Sequence, residues 1–335
     1  MATMKGWLFQ ASSGPMEKNL TQPSSGIPRP KIKGSEILVE NFSTALNAID
    51  YKVLELGFIT NLVFKSVTPG LDVCGRVVEV GSKVTNYHVD DIVYGALPPA
   101  PTNGALAQFV PIPAASVALV PKGLPSDDMV SVGVVGLTVY AALKPYVKPG
   151  SKVFINGGSG GTGVMAIQVA KILGADVTTS SSTANLELCK SLGADTTLDY
   201  TSAPIAQQLK DSGAIFDLVV DNVGTPANLY RASSTFLQPQ GKYVQIGLAV
   251  SFAGFRQFIT NKITSLLAWG KREWIFVDAS ANQHEAYDQL AAWMREGKIR
   301  AVIDSKFEFS EVPKAYERLK TGRAQGRVVV HVQEY

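Results

Sequence analysis

A glycine-rich hexapeptide set between an apolar strand and an apolar helix constrains this chain more than any other feature. Gly158-Ser159-Gly160-Gly161-Thr162-Gly163 follows the apolar run Val153 to Asn156 and opens onto Val164 to Leu173. The G-x-G-x-x-G pattern alone decides little; its place between strand and helix gives it meaning. Glycine allows the tight turn, and the missing side chains let a pyrophosphate approach the helix N-terminus, where unbonded N–H groups favour an anion. The following sequence continues the rhythm. Strand 177–180, helix 185–192, strand 218–221, a helix after Pro226 and strand 243–246 alternate at the spacing of parallel βαβ units. Gly174 and Gly193 stand just past two of the helices, where a left-handed C-cap favours glycine. The expected fold here is a doubly wound parallel sheet that holds a dinucleotide.

The choice of dinucleotide falls about 20 residues further on, at the end of the second strand. An acid there would bind the ribose hydroxyls of NAD and repel a 2′-phosphate. This chain has Ser180-Ser181-Ser182-Thr183-Ala184-Asn185, with no acid. Hydroxyls and an amide can donate to a phosphate, which favours NADPH. The other reading is a polar loop in which Ser182 or Thr183 merely caps the next helix. No arginine stands in the loop, and Lys190 and Tyr200 are the nearest residues able to add charge or contact.

The first 120 or so residues have a different texture. Short β-branched or aromatic runs at 37–42, 75–80 and 91–94 are punctuated by Pro28, Pro30, Gly34, Pro69, Gly70, Gly81 and Gly95, the pattern of a β-rich domain. Near Pro125 this gives way to an apolar helix over 129–143, with Ser126 as N-cap and Asp127 and Asp128 in its first turn. Past Gly247 the βα alternation lapses. Phe255, Phe258, Ile259, Ile263, Leu266 and Leu267 lie near helical spacing, and a second helix runs from about 282 to 296. Strands at 306–309 and 327–332 then return to the first domain. The expected division is a first part of one domain over 1–125, a dinucleotide domain over 126–265, and a return over 266–335.

Composition excludes several classes of function. Thirty-one basic residues are interspersed with 28 acidic ones for a net charge of +3, so no basic stripe announces nucleic acid. No apolar run reaches the roughly 18 residues of a membrane span, and the first residues lack the apolar core of a secretion signal. Cytoplasm is the expected compartment. The only cysteines, Cys74 and Cys189, read as buried thiols, one in a strand and one in a helix. Two cysteines and the separated His88, His284 and His331 cannot assemble a catalytic or a four-cysteine zinc site, so no metal is expected. The same scarcity speaks against a Cys–His nucleophile. The glycine loop lacks the Lys-Ser/Thr ending of an ATPase loop.

With these residues assembled, the chain resembles the medium-chain dehydrogenase/reductase superfamily, on its zinc-free quinone-reductase and enoyl-reductase branch. The resemblance covers nearly the whole length. It is carried by Asn47-Ala-Ile-Asp50-Tyr-Lys, Pro69-Gly-Leu-Asp72-Val-Cys-Gly75-Arg-Val-Val-Glu-Val-Gly81 and Asp91-Ile-Val-Tyr-Gly95. Gly104-Ala-Leu-Ala-Gln-Phe-Val110, Gly136-Leu-Thr138-Val-Tyr140-Ala-Ala-Leu143, the glycine loop and Gly322-Arg-Ala-Gln-Gly326-Arg-Val-Val-Val330 add to it. Zinc-binding relatives carry Cys near Asn47, and Gly-His-Glu where this chain has Pro69 to Asp72. The stretch Phe258-Ile-Thr-Asn-Lys-Ile-Thr-Ser-Leu-Leu is similar to reticulon-4-interacting proteins and to fungal oxidoreductases.

This resemblance implies a GroES-like catalytic domain built from both chain ends and a Rossmann-type α/β domain, with nicotinamide and substrate in a cleft between them. It places Asn47 near nicotinamide and substrate, Thr138 on the cofactor, and Gly247 near the nicotinamide ribose. Ser181, Ser182, Asn185 and Tyr200 would surround the 2′-phosphate, although many relatives have Arg where this chain has Ala184. A homodimer through an edge strand of the nucleotide domain is common in similar proteins.

Without a metal to polarise an alcohol, the easiest hydride acceptor is already activated, such as a quinone or an α,β-unsaturated carbonyl. The expected partner is therefore a small, flat, conjugated carbonyl compound. The resulting anion needs a proton, for which Tyr51 and Lys52 are the nearest candidates beside solvent, Tyr51 reading more readily as barrel packing. Asp50 and Asp72 read as structural. The aromatic segment with Phe252, Phe255, Phe258, Trp269, Trp274 and Phe276 reads either as a lid that selects a flat substrate or as packing. Two rival functions stay open: a dedicated biosynthetic reductase of one specialised or carrier-bound intermediate, and an NADPH-binding scaffold without turnover.

Overall fold

The computed structural model describes residues 2–10, 14–56, 66–99, 101–224, 229–248, 251–268, 271–279 and 283–334. The chain divides into two compact units, Met1–Leu137 with Asn282–Tyr335, and Thr138–Ala281.

The first unit is built on β1 (Glu36–Ala45), the short helix α1 (Ala48–Lys52), β2 (Asp72–Val80), β3 (Ile92–Ala96), β4 (Phe109–Pro113) and β5 (Val117–Leu119). Neighbouring strands among these pair antiparallel, with β4 also set against β1. Their inward side chains, including Ile37, Val39, Val73, Val77, Val93, Val110 and Val117, form one buried cluster. Valine and isoleucine suit a pleated surface packed on one side, which is why these short runs become strands.

Two helices follow where the sequence suggests one: α2 (Ser126–Val130) and α3 (Gly133–Leu143). The break has a long-range cause. Asp72 Oδ1 accepts the Val134 N–H at 2.6 Å, so a buried carboxylate caps a new helix start. A Cβ on Gly133 would lie 2.2 Å from that same oxygen.

The second unit alternates without interruption through β6 (Lys152–Asn156), α4 (Gly161–Ile172), β7 (Asp176–Ser181), α5 (Leu186–Ser191), β8 (Thr196–Asp199), α6 (Ile205–Asp211) and β9 (Phe216–Asp221). It ends with β10 (Leu237–Gln245), α7 (Phe252–Leu267) and β11 (Glu273–Phe276). All neighbouring strands are parallel, in the order β8-β7-β6-β9-β10-β11. The central runs are buried on both faces, which demands near-continuous apolar sequence such as Val153-Phe-Ile. Gly174 and Gly193 have φ of +85° and +105°, the left-handed conformation expected after α4 and α5.

The residues directly after Pro226 and Trp269 lie outside the described residues. A 3-10 turn over Leu229–Thr235 stands where the sequence suggests an α-helix. The aromatic segment is neither all helix nor all lid. Trp274 and Phe276 belong to edge strand β11, and Trp274 is buried with its indole N–H donating to Gln245 at 2.8 Å.

The chain then returns through α8 (Gln283–Arg295), β12 (Ile303–Glu308), α9 (Val312–Lys320) and β13 (Arg327–His331). β13 pairs antiparallel with β1, and β12 lies parallel beside it, which completes a seven-stranded sheet. The β-rich domain is thus made from both ends of the chain.

Candidate functional site

The strand order places β6 and β9, whose connections run in opposite directions, side by side. Such a switch point opens a crevice beyond the carboxyl ends of the strands, the usual seat of a ligand in open α/β sheets. The glycine loop is at the end of β6. Gly160 has φ −77° and ψ 171°, and α4 opens at Gly161. The N–H groups of Gly161, Thr162 and Gly163 therefore lie in a first turn with no intrahelical acceptors. A Cβ on Gly163 would stand 2.1 Å from Gly157 O, and one on Gly158 would stand 2.2 Å from Thr179 Oγ1. One on Gly160 would meet nothing within 4 Å among the described residues. Gly158 and Gly163 thus close the turn on the sheet, while Gly160 leaves open space before the helix.

A buried polar network fixes this turn to three further strand ends. Gly157 N–H donates to Ser180 Oγ (3.0 Å), and that hydroxyl donates to Asn156 Oδ1 (2.7 Å). The Asn156 amide donates to Asp221 Oδ1 (2.8 Å), which also accepts the N–H groups of Val223 and Gly224. Tyr243 donates its hydroxyl to Asp221 Oδ2 at 2.7 Å. Burial, and then the Asp221 charge, push the Tyr243 phenol well above its usual range, so it remains a donor. Gly247 N–H donates to Asp221 O (3.0 Å), and a Cβ on Gly247 would lie 2.1 Å from Asn222 O. Beside this network both polar atoms of the Asn222 side chain are buried without a partner among the described residues. Space at Gly160 among the described residues, first-turn N–H groups without intrahelical acceptors and an amide without a partner there fit a dinucleotide that carries phosphates and a carboxamide. Sequence reasoning missed Asn156, Asp221, Asn222 and Tyr243. The available signal was polar residues ending otherwise apolar strands.

The residues expected around the 2′-phosphate are only partly together. Asn185 Nδ2 donates to Ser159 Oγ at 3.0 Å, which joins the start of α5 to the glycine loop. Ser182 is half-buried and Tyr200 exposed. Ser181 is fully buried, its hydroxyl turned to Ser182 O. Lys190 is exposed and ion-paired with Glu187. An acid does stand nearby, but on the third strand rather than the second. Asp199 accepts from Thr183 Oγ1 (2.5 Å) and from Thr201 through both N–H and hydroxyl, and those bonds hold its carboxyl below the usual range. Thr138 is half-exposed on α3.

In the first unit the candidates cluster on α1. Asn47 is buried directly before the helix, and its amide donates to Asp72 Oδ2 (3.0 Å) and Ala45 O (3.1 Å). Arg327 donates to the same Asp72 oxygen, a buried ion pair between β2 and β13. Tyr51 packs on the cluster of Trp7, Phe9 and Tyr316, with the Lys320 ammonium 4.8 Å from its ring centre. Burial raises its phenol. Lys52 is half-buried, and burial lowers its ammonium.

Asp50 departs from an ordinary loop carboxylate. Its Oδ2 accepts the Asn47 N–H at 2.8 Å, while Oδ1 is buried with no partner among the described residues. Burial, reinforced by the nearby Asp72 charge, raises its carboxyl well above the usual range. The folded state thus binds a proton that the unfolded chain releases near pH 4, and stability falls as pH rises above that value. Asp50→Asn should raise stability at pH 7 by about 1–3 kcal/mol, the size of a relieved buried polar penalty. Melting curves of both proteins at pH 4 and pH 7 check this, and the gain should shrink at the lower pH.

Over 99% of its length the chain is 38% identical to a trans-enoyl reductase, pgmF, of Aspergillus terreus, of which the match covers 97%. The chain belongs to the medium-chain dehydrogenase/reductase superfamily. Within that superfamily it stands on the quinone- and enoyl-reductase branch. Residues 33–122 match the alcohol dehydrogenase GroES-like domain, and residues 192–330 match the family described as zinc-binding dehydrogenase. The mitochondrial NAD(P)H oxidoreductase RTN4IP1 of Mus musculus is 34% identical over 79% of the chain and 70% of that protein. The quinone oxidoreductase of Coxiella burnetii superposes with a TM-score of 0.86, at 27% identity, over 99% of this chain and all of that one. As a member of this superfamily the protein is an oxidoreductase, and its parallel-sheet domain implies a pyridine-nucleotide cofactor. Among the described residues no group of three His, Cys, Asp or Glu side chains stands together to hold a metal ion. Both cysteines are free and buried. No helix of the described residues is long and apolar enough to cross a membrane.

Proposed function

We propose that this oxidoreductase uses NADPH to reduce a carbonyl-conjugated double bond or a quinone, without zinc. One observation carries the cofactor preference. The second strand ends in an amide and hydroxyls, with Asn185 held against Ser159 of the glycine loop, and the nearest acid, Asp199, is occupied by Thr183 and Thr201. Neutral donors suit a 2′-phosphate, and among the described residues the Asp199 oxygens are engaged by Thr183 and Thr201 instead of being left for ribose hydroxyls. Ser182, Asn185 and the more distant Tyr200 are the proposed phosphate contacts. Ser181 supports the turn from within.

The cofactor, when bound, supplies the hydride. The chain's part is to position and to protonate. Gly158 to Gly163 and Gly247 seat the dinucleotide, and Thr138 contacts it. Asn47, whose two amide hydrogens are held by Asp72 and Ala45, is the proposed wall of the site beside nicotinamide and substrate. Lys52 is the proposed proton source, because burial already weakens its hold on the proton. Tyr51 is assigned to packing under Lys320, as its contacts support.

The test is NADPH oxidation followed by absorbance with a panel of quinones, enones and enoyl thioesters, NADH run in parallel. Turnover with NADPH should exceed that with NADH by about tenfold or more in kcat/KM, roughly 1.4 kcal/mol. Asn185→Asp should raise KM for NADPH by about tenfold and move NADH far less, since a new carboxylate repels the phosphate. Equal use of both cofactors by the unaltered protein would overturn the NADPH assignment. The likeness to a trans-enoyl reductase favours a second reading, reduction of one biosynthetic enoyl intermediate. Activity confined to enoyl thioesters would select it.

A further inference from the structure

Helix α7 is built inside out. Its buried positions are Gly254, Asn261 and Ser265, which are small or polar. Ser265 Oγ accepts the Trp274 N–H at 2.9 Å, and Asn261 is buried beside Gln245. Phe258 packs inward on Trp274 and Phe276, but the other large apolar side chains point the other way. Phe252 is 84% exposed, Phe255 63%, Leu266 70% and Leu267 71%, and Ile259 and Ile263 are exposed with them. At about 100° per residue these six positions fall in an arc of roughly 120°, opposite the face formed by Gly254, Asn261 and Ser265. The stripe runs the length of a 16-residue helix. It is too continuous to be the scattered apolar exposure of an ordinary surface, and calls for a partner.

The charges select the partner. Arg256 lies near one margin of the arc and Lys262 at the other, both exposed and neither ion-paired among the described residues. The exposed Lys271 follows the helix, and α7 contains no acidic residue. A second copy docked by two-fold symmetry would set this cationic face against itself, which costs free energy. An apolar stripe whose only charged neighbours on the helix are cations instead suits an interface that is apolar beneath and anionic above.

We propose that α7 docks the protein on an anionic lipid surface. The helix lies in the plane of the interface, with Phe252, Phe255, Ile259, Ile263, Leu266 and Leu267 in the acyl boundary and Arg256, Lys262 and Lys271 among the headgroups. This association is peripheral and independent of the substrate assignment above.

The test is cosedimentation of the full chain with vesicles of equal parts phosphatidylcholine and phosphatidylserine, beside vesicles of phosphatidylcholine alone. Binding to the anionic vesicles should be about tenfold stronger or more and should weaken with salt. The double variant Phe255→Ser/Leu266→Ser should lose about tenfold or more of that binding and keep its melting temperature. Arg256→Glu/Lys262→Glu should lose the preference for anionic vesicles. Failure of the unaltered protein to sediment with either vesicle overturns the proposal, as does sedimentation indifferent to phosphatidylserine or to the Phe255/Leu266 changes. A molar mass that falls from dimer to monomer in that variant, without vesicle binding, assigns the face to a second copy. Binding of an acidic protein without vesicle binding likewise overturns the lipid assignment.

Discussion

Asp72→Ala should destabilise the protein by about 3–5 kcal/mol, the usual consequence of stranding one partner of a buried ion pair. The size follows from how many groups share this carboxylate. Asp72 is fully buried and accepts from Arg327, from the Asn47 amide and from the Val134 N–H that begins α3. Its removal leaves a guanidinium that is itself buried and whose Nε already has no partner among the described residues. Desolvation pushes the Asp72 carboxyl up, against the pull of Arg327, so burial already opposes its charge. The cost of Asp72→Ala is therefore chiefly that of the abandoned Arg327. Asp72→Ala/Arg327→Met should cost less than Asp72→Ala alone, because two apolar groups strand no charge. Denaturant unfolding of the three proteins measures the difference. A double variant at least as unstable as the single one would sink the ion-pair account. Activity should fall with Asp72→Ala beyond the loss of folded protein, since Asn47 then loses one of its two amide acceptors.

That carboxylate also shows where sequence reading reaches its limit. The parallel core was legible because strands buried on both faces must be apolar along their length, as 153–155 and 218–220 are. The glycine loop was legible because its sterics are local: the turn, the close approach and the helix start lie within six residues. Three things were not. Strand β8 reads Thr-Thr-Leu-Asp, an edge strand with no apolar run to mark it. Strand β11 was hidden in an aromatic segment whose residues divide between an exposed helix and a buried edge. The break between α2 and α3 is imposed from 62 residues away, by Asp72. In the site, single residues such as Asn47 and Asn185 could be named from motifs. The network of Ser180, Asn156, Asp221 and Tyr243 could not, because its members come from four strands brought together only by the sheet order 3-2-1-4-5-6. Ser181 is a polar residue in the expected stretch that lies fully buried, in a strand whose last three residues are all buried, with its hydroxyl on Ser182 O.

Two alanine substitutions in the glycine loop should separate its packing role from its binding role. Gly163→Ala places a Cβ 2.1 Å from Gly157 O, an approach that real atoms do not make. Because that obstacle is backbone, α4 must move away from the β6 turn, and the packing of a helix buried on nearly every side moves with it. The expected result is a loss of about 1–3 kcal/mol of stability together with about hundredfold weaker NADPH binding. Gly160→Ala should behave otherwise. Its φ of −77° is open to alanine, and among the described residues its Cβ meets nothing within 4 Å. The unliganded protein should therefore melt within about 2 °C of the parent, a shift of well under 1 kcal/mol. Dinucleotide affinity should nevertheless fall by about tenfold or more, because the added methyl occupies the space through which a pyrophosphate reaches the N–H groups of Gly161 to Gly163. Titration of NADPH by its fluorescence, beside melting curves without ligand, reads both quantities. Unchanged affinity in Gly160→Ala would mean that the phosphates do not sit on the first turn of α4, and the cofactor placement built on this loop would fail with it. A large drop in melting temperature would instead mean that Gly160 is a packing residue and that its empty surroundings carry no ligand. Only the combination of intact fold and weakened binding assigns the open space to the cofactor, because a purely structural glycine cannot produce it.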